Sequence, residues 1–349
     1  MTGTAASLEQ WLTGLRVGPD RSSSQVVVTH RPDLIASMIR NQVIDDAATV
    51  YVQGEIPAGV GDRVRSGKLM SFTGSVTKDH LYLDNGFEWQ NRQYGSAEFA
   101  CFDMPTVLWI ESSDDLSAYL RDAHDAWTAG RFAHHITHPN TIVANLAGAG
   151  GSGAHAGPAD RLYVDVDGAI STSPTGRHLG TAEASGQELS DGWLRANNAS
   201  AYPDAVCLSS VVTDADRTEA LIERPWIARY LVVVAAIRTV RGTHRRATAA
   251  SGFGSRMTAD LPAPRKPDAL TAPVLLQVGS TVLALDPISH AAIELSPATV
   301  AVIEELLSTD PYTRPPPRER QVRDAVDELV VGGIARHWCD EAWGKWVDR

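Results

Sequence analysis

The last quarter of the chain alternates short apolar runs with turn-forming pairs, a pattern that predicts three antiparallel strands. Residues 274–278 and 281–285 are apolar runs separated by Gly279-Ser280, a pair typical of a hairpin turn. Asp286-Pro287 predicts a second turn, because proline fixes φ and the aspartate side chain can bond the nearby backbone. Residues 290–295 complete the pattern as a third short strand.

Two amphipathic helices are predicted after these strands. Ser296 stands at an N-cap position and Pro297 at the first helical position, where its missing N–H costs nothing. Apolar residues then recur at helical spacing in two stripes. They are Val300, Ile303, Leu306 and Leu307 in the first stripe, and Val322, Ala325, Val326, Leu329 and Val330 in the second. Residues 309–318 separate the stripes with four prolines, and Gly332-Gly333 ends the second helix because glycine accepts a left-handed C-cap.

The rest of the chain predicts a larger region of mixed α/β character. The predicted strands are residues 25–29, 48–52, 81–83, 106–111, 162–166 and 206–212, and the predicted helices are residues 8–15, 31–41 and 113–129. Residues 224–240 fit either a helix or a buried strand. The predicted domains are an N-terminal region over residues 1–247, a Pro/Gly/Ala-rich linker over 248–273, a small domain over 274–338 and a Trp-containing tail over 339–349.

The composition is that of an ordinary globular protein with an acidic balance. Of the 349 residues, 43% are hydrophobic and 21% are charged, and the net charge is −11. This charge disfavours nucleic acid and anionic membrane as partners. The last predicted helix adds no basic face, because Arg320 and Arg323 stand against Asp324, Asp327 and Glu328.

The cysteines and the N-terminus predict a cytoplasmic location. Cys101, Cys207 and Cys339 are widely spaced and odd in number, which favours reduced thiols over a disulfide framework or a zinc site. The N-terminus lacks a basic segment followed by an apolar core, so we expect no signal peptide. The most apolar run, residues 230–237, is too short to span a bilayer.

Three upstream patterns suggest sites, and each has a simpler interpretation. Residues 148–153 match G-x-G-x-x-G, but no good helix follows, which favours a glycine-rich loop over a nucleotide site. His134 and His138 are spaced like zinc ligands on a helix, but no third ligand is near, so a polar helix end is the alternative. Asp165 and Asp167 could hold a cation, although a hairpin turn explains them better. We therefore predict no catalytic residue, no cofactor and no metal.

Two further clusters leave their roles open. The basic residues are Arg238, Arg241, His244, Arg245 and Arg246, and the aromatic ones are Trp338, Trp343 and Trp346. The basic cluster could attract an acidic peptide or a partner enzyme, or it could be a solvated helix end. The tryptophans fit either an interface or packing on their own domain.

The C-terminal pattern resembles a known family. Three strands, then Leu295-Ser296-Pro297 opening a helix, then residues 327–334 (DELVVGGI) ending the last one, are similar to the PqqD-like domain, also called the RiPP recognition element. That family has a winged helix-turn-helix fold and binds the leader segment of a ribosomally synthesised precursor peptide. The whole chain resembles the recognition proteins of daptide-type biosynthesis. It departs from the family in residues 309–318, where four prolines replace the middle helix.

The resemblance implies a non-catalytic protein that presents a precursor peptide to the modifying enzymes of its pathway. The leader would add as a strand between the third strand and the last helix. The residues implied at this site are Ile293, Glu294, Leu295, Arg323, Val326 and Asp327. A second hypothesis makes the N-terminal region a peptide-modifying enzyme to which the small domain delivers substrate. The small domain could also be purely structural, or a winged helix that binds DNA. The expected fold is α+β, with a mixed α/β region followed by a small winged helix-turn-helix domain.

Overall fold

A computed structural model shows a mixed α+β protein, as predicted, that divides into two compact units. The structure describes residues 3–15, 24–56, 58–59, 67–151, 157–202, 204–243, 245–258, 261, 270–308 and 319–334. The first unit comprises residues 1–119 and 140–223, and the second comprises residues 120–139 and 224–349.

Helices occur in both units. They are Gly3–Thr13 (α1), Ile35–Arg40 (α2), Ser113–Ala129 (α3), His134–Thr137 (α4), Gly186–Asn198 (α5), Asp214–Ile222 (α6), Ile227–Gly242 (α7), Pro297–Ser308 (α8) and Glu319–Val331 (α9). Short 3-10 helices span Pro32–Leu34, Tyr94–Phe99 and Ala205–Cys207. Among the described residues, no helix combines the length and the apolar composition needed to cross a bilayer.

A ten-stranded mixed sheet forms the centre of the first unit. Its strands are Val26–Thr29 (β1), Thr49–Gln53 (β2), Lys68–Gly74 (β3), His80–Leu83 (β4), Glu88–Gln93 (β5), Thr106–Trp109 (β6), Thr141–Val143 (β7), Arg161–Val164 (β8), Ala169–Ser171 (β9) and Gly180–Thr181 (β10). The order across the sheet is β10-β9-β8-β1-β2-β3-β4-β5-β6-β7. β4 and β9 run antiparallel to their neighbours, and the other adjacent strands run parallel.

Strand β1 shows why this sheet is buried on both faces. Val26 and Val28 point into one core, which includes Trp11 of α1. Val27 points into a second core with Met38 of α2. Because successive side chains of a strand alternate between the two faces, three consecutive valines need apolar partners on both sides of the sheet.

The second unit contains a four-stranded antiparallel sheet. Its strands, in spatial order, are Ala247–Ala250 (β11), Val274–Val278 (β12), Thr281–Leu285 (β13) and Ala292–Leu295 (β14). One face packs on α8 and α9. The buried residues of this core are Ala272, Leu275, Ala284, Leu295, Val300, Ile303, Leu329 and Ile334. The predicted strands 274–278 and 281–285 are confirmed with their bounds.

The third predicted strand is shorter than residues 290–295, because a turn takes up its first residues. Asp286 Oδ1 accepts hydrogen bonds from the backbone N–H of Ile288 at 2.7 Å and of Ser289 at 2.9 Å. His290 adopts a left-handed φ of 58°. The chain becomes extended at Ala292, so β14 has four residues.

The predicted linker, residues 248–273, differs from the structure in its first half. Residues 247–250 form strand β11, which pairs with β12. The segment that follows is anchored by Glu304 of α8, which is fully buried. Its carboxylate accepts hydrogen bonds from the Ser251 hydroxyl and from the backbone N–H of Met257 at 2.8 Å and of Thr258 at 2.6 Å. A segment bound in this way belongs to the second unit, and the chain division falls at residues 223/224.

Two other upstream predictions are decided by the structure. Residues 206–212, predicted as a strand, are instead the end of a 3-10 helix followed by turns. The Cys207 carbonyl accepts hydrogen bonds from the hydroxyls of Ser173 and Thr175, so it is not available for a sheet ladder. Of residues 224–240, which fit either a helix or a strand, residues 227–240 lie in helix α7 and residues 224–226 precede it. The proline-rich segment 309–318 and the tryptophan-containing end, residues 335–349, lie outside the described residues.

Candidate functional site

The outer edge of β14 presents regular backbone groups. β14 is the last strand of its sheet, and no described strand pairs with its other side. The Asp286 N–H donates to the Ala291 carbonyl at 2.9 Å, which makes these two residues a hydrogen-bonded pair in the β13/β14 register. Hydrogen-bonded and non-bonded pairs alternate in an antiparallel ladder. The backbone N–H and C=O of Ala292 and Glu294 therefore point away from β13, toward the outer edge.

Helix α9 flanks this edge at the Ser296 end. The Ser296 N–H is the next outward-pointing donor, and it donates to Glu328 Oε1 at 2.8 Å. Glu328 Oε2 accepts from the Thr299 hydroxyl at 2.5 Å and from the Ser296 hydroxyl at 3.3 Å. The Ser296 hydroxyl also caps α8, accepting from the Thr299 N–H at 3.2 Å. The Glu328 carboxylate thus links the last turn of α9, to which it belongs, to the end of β14 and the start of α8.

Glu328 stays ionised in this position. Burial acts to raise the pKa of Glu328, but the hydrogen bonds from Thr299 and Ser296 outweigh it, so the pKa lies below its usual value. A carboxylate with several donors is a strong acceptor, which explains how one side chain holds three elements together.

The C-terminal end of α9 packs directly on β14. Gly333 has a φ of 83°, and its N–H donates to the Val330 carbonyl at 3.0 Å, while the Ile334 N–H donates to Leu329 at 3.0 Å. These bonds form a Schellman C-cap, as Gly332-Gly333 predicted. A Cβ placed on Gly332 would lie 2.2 Å from Ile293 Cγ2. The glycine therefore allows the helix end to approach the strand closely.

The structure divides the predicted strand residues between the two faces of β14. Ile293 is half-buried and Leu295 is 6% exposed, and both face the core between the sheet and the helices. Both side chains therefore point into the core and not toward the outer edge of the strand. Glu294 is exposed, so the edge offers its backbone and leaves its side chain in solvent.

The predicted helix residues lie away from the strand edge. Glu328 of α9 bonds Ser296, and Gly332, just after the helix, lies close to Ile293 of β14. At 100° per residue, Arg323 and Asp327 project from the other flank of the helix. Val326 is half-buried in the apolar core. Sequence periodicity identified the buried stripe except for Val330, which is exposed, and it did not show which border of the stripe faces the strand.

Two exposed side chains missed by the sequence reasoning share a flank of α9 with Glu328. Asp324 and Val331 lie within one turn of Glu328, and Val331 is 89% exposed. This flank also carries Arg320, which lies 3.9 Å from Asp324, so it presents a loose ion pair beside one apolar side chain. The Gly332 contact with β14 identifies this flank only after folding.

The upstream patterns form no ligand site in the described residues. In the G-x-G-x-x-G stretch, the N–H groups of Gly148, Ala149 and Gly151 all donate to nearby carbonyls, so they do not face a phosphate. Asp165 closes the predicted hairpin turn, accepting from the N–H of Asp167 at 2.9 Å and of Ala169 at 2.8 Å. No group of three His, Cys, Asp or Glu side chains within the described ranges is placed to hold a metal.

The first unit carries a half-buried histidine, His30, that sequence reasoning missed. His30 follows β1, and its Nδ1 is hydrogen-bonded to Gln53 Oε1, while Gln53 Nε2 donates to the Gly74 carbonyl at 2.9 Å. The amide orientation makes His30 Nδ1 the donor and leaves Nε2 an acceptor. Nε2 is buried without a hydrogen-bond partner in the described structure. The rings of Phe72 and Tyr163 lie edge-on at 5.7 and 5.5 Å.

The location of His30 is one where α/β proteins bind ligands. It stands at the carboxyl end of β1, between the parallel neighbours β2 and β8, where the strand order reverses. Burial, with a smaller contribution from Asp165, raises the pKa of Tyr163 to about 12, so its hydroxyl stays protonated at neutral pH. A neutral donor thus lies beside an unused acceptor.

Comparisons with known proteins give no relative from which a function could be transferred. No protein-family model matches the chain, no curated protein matches it, and no solved structure matches it. Its function must be inferred from its own geometry.

Proposed function

We propose that the second unit binds an extended precursor-peptide segment by strand addition along β14, in the manner of a PqqD-like RiPP recognition element. The observation that carries this proposal is the outward N–H and C=O groups of Ala292 and Glu294, beside the exposed wall of α9. A regular strand edge next to a helix matches the geometry by which proteins capture extended peptides. On this proposal the small domain is a winged helix-turn-helix and the protein is non-catalytic and cytoplasmic. It passes the bound precursor to modifying enzymes of a daptide-like pathway.

In this proposal the strand edge supplies most of the affinity, and the exposed flank of α9 supplies the specificity for the peptide sequence. Each backbone hydrogen bond from the peptide to Ala292 or Glu294 contributes about 0.5–1.5 kcal/mol. Each apolar peptide side chain buried against Val331 adds roughly 1.5–3 kcal/mol. Ordering a disordered leader opposes binding, which leaves a micromolar or tighter complex. Because Asp324 is exposed on this flank and has only a loose described partner, Arg320 at 3.9 Å, we expect a leader with an apolar side chain and a basic one on the same strand face.

The direct test is fluorescence polarisation of the full chain with a labelled leader peptide from the precursor encoded beside its gene. Glu294→Pro removes an outward N–H that the fold does not use, and its ring blocks the edge. We expect leader affinity to fall at least about tenfold while the unfolding transition is nearly unchanged. Glu294→Ala is the matched control, because it removes the side chain and keeps the N–H. No leader binding by the wild-type chain would refute the proposal, and equal affinities of the two variants would refute strand addition.

The helix wall is tested by substitutions on its two borders. Val331→Asp places a charge on the flank that faces the edge and should weaken leader binding about tenfold or more. Asp324→Asn should weaken a leader with a basic residue and leave one with that residue changed to glutamine unaffected. Substitutions at Ile293 or Leu295 do not serve this purpose, because both side chains belong to the core.

A second candidate function is a peptide-modifying enzyme in the first unit, and the buried Nε2 of His30 is the observation that favours it. A buried imidazole nitrogen without a hydrogen-bond partner in the described structure can take a proton from a substrate that enters at this edge. His30→Ala should then abolish modification of the precursor in a reconstituted reaction and leave leader affinity unchanged. Full modification by the variant would exclude this role.

A further inference from the structure

Cationic side chains cluster in the second unit where α4 packs against α7. Arg241 of α7 is half-buried beside His134 of α4, and Arg246 follows the end of α7. The chain as a whole carries a net charge of −11, so this cluster is a local exception. Neither the strand edge nor the His30 site uses it.

The packing of the two helices fixes the Arg241 guanidinium. Arg241 Nη1 donates to the Thr137 hydroxyl at 2.5 Å, and that hydroxyl donates to the Ala133 carbonyl at 2.8 Å. Thr137 is fully buried, so the contact is rigid. The Nη1 group of Arg241 is held by this bond. Because the guanidinium is planar, the direction of its other N–H groups is then fixed as well.

The two arginines of this cluster have no carboxylate partner among the described residues. Elsewhere in the same unit, Arg131 pairs with Asp125 at 3.2 Å and Arg323 pairs with Glu319 at 2.8 Å. Within the described part of the chain, Arg241 and Arg246 make no ion pair. The described carboxylates therefore leave the charges of Arg241 and Arg246 available to an anion from solution.

The charges in the cluster also act on one another. Burial lowers the pKa of Arg241, and the charge of Arg246 lowers it further. Burial lowers the pKa of His134 as well, followed by the charges of Arg241 and His135. Arg241 is half-buried, whereas His134 and Arg246 are exposed, so positive charges meet around one partly buried guanidinium, an arrangement that an anion would relieve.

We propose that Arg241 and Arg246, with His134 beside them, form a binding site for an oxyanion, either a carboxylate or a phosphate group. A planar guanidinium presents parallel N–H donors that match two oxygens of such a group. Arg241 is preoriented by Thr137, and Arg246 adds a second positive charge. The site is distinct from the peptide edge of β14, so it stands or fails independently of strand addition.

The test is calorimetric titration of the full chain with inorganic phosphate in a chloride buffer. We expect saturable binding that Arg241→Gln weakens at least about tenfold and Arg246→Gln weakens less. Arg320→Gln is the control, because it removes an exposed arginine of the same unit whose carboxylate neighbour, Asp324, lies at 3.9 Å. Equal loss of binding in all three variants would show a non-specific charge effect and overturn the proposal. Arg246→Gln keeps the test decisive if Arg241→Gln does not fold.

A second probe separates the two sources of the oxyanion. A glutamate-rich peptide that competes with phosphate identifies a carboxylate ligand, and phosphate binding without such competition identifies a phosphate ligand. Binding of neither probe would overturn the site. Proton NMR of His134 gives an independent readout, because Arg241→Gln removes a repelling charge and should raise the pKa of His134. An unchanged His134 pKa would show that the two charges do not share one site.

Discussion

The two sheets of this protein end in different ways. The ten-stranded sheet tapers to β10, with two residues, and to β7, with three. The four-stranded sheet ends in β11, whose pairing with β12 has a register shift, and in β14, which pairs with β13 along its whole length of four residues. Short edge strands protect a sheet from pairing with other chains, and a regular edge invites pairing. The short edge strands of the first sheet are therefore poor templates for an added strand, whereas the second sheet has a regular edge strand beside a helix.

The sheets also differ in what their side chains do. β1 is buried on both faces, so its residues are committed to stability. β14 buries Ile293 and Leu295 and exposes Ala292 and Glu294, so stability and binding use alternate residues of one strand. Substitutions can therefore separate the two roles in the second unit but not in the first.

The largest effect should come from the doubly buried sheet. Trp109 is 1% exposed, and its indole N–H donates to Asn91 Oδ1 at 2.9 Å. Trp109→Ala should lower the free energy of unfolding by about 3–5 kcal/mol, because it leaves a large cavity. Chemical denaturation measures this loss, and Leu194→Ala, at an exposed position, is the control. Leader affinity should not change under conditions where the variant is folded; a parallel fall in affinity would break the division of roles.

A smaller effect is expected where α9 meets β14. Gly332→Ala would force Ile293 to shift, at a cost of about 1–3 kcal/mol. It should also weaken leader binding, because the moved side chain belongs to the edge strand. Gly333→Ala is the matched control: the same methyl group would lie 3.8 Å from Ala291 Cβ, and only the left-handed φ, worth about 1–2 kcal/mol, opposes it. Equal losses of leader affinity in both variants would contradict the steric account.

Glu328 gives a prediction that depends on pH. Glu328→Gln should lower stability at pH 7 by about 1–2 kcal/mol, because it weakens charged hydrogen bonds to Ser296 and Thr299. The folded-state pKa of Glu328 lies below its usual value, so this contribution is present at neutral pH and is lost as pH falls through that pKa. Urea denaturation should show wild type and variant converging below about pH 4. A difference that persists at low pH would assign the effect to packing.

The smallest effect is predicted for the flank of α9 that faces away from β14. Arg323 is exposed and pairs with Glu319 one turn away, an arrangement worth about 0.3–0.5 kcal/mol. Arg323→Ala should therefore change stability by no more than that and leave leader affinity unchanged. Weaker leader binding by this variant would show that the flank of α9 with Arg323, and not the one with Val331, contacts the leader.

Much of the second unit could be predicted because its local signals agree. Gly279-Ser280, Ser296-Pro297 and Gly332-Gly333 each specify a turn or cap by conformational preference, and all three form as predicted. The strand β11 could not be predicted, because its alanines carry no strand pattern and its pairing with β12 spans an intervening segment. The prediction of a strand over residues 206–212 is wrong because an apolar run favours a strand only when another strand can pair with it. Here the Cys207 carbonyl is bonded by side-chain hydroxyls instead.

The candidate site was predictable in position but not in detail. The order of elements indicated an edge strand followed by helices. Which side chains of β14 face the core depends on its register with β13. A shift of one residue would turn Glu294 toward the core and Ile293 toward solvent. The choice between Val331 and Arg323 as wall residues depends on the rotation of α9, which Glu328 and Gly332 set through contacts distant in sequence.

The buried carboxylate of Glu304 has a consequence for how this module can be inherited or engineered. A fragment that begins at residue 274 would retain Glu304 but lose Ser251, Met257 and Thr258, which donate to it. A buried carboxyl group that loses its donors is left with unsatisfied oxygens, which cost about 1–3 kcal/mol each, a large share of the stability of so small a domain. We therefore expect a 65-residue fragment over residues 274–338 to be less stable than one that also carries the segment from β11 onward.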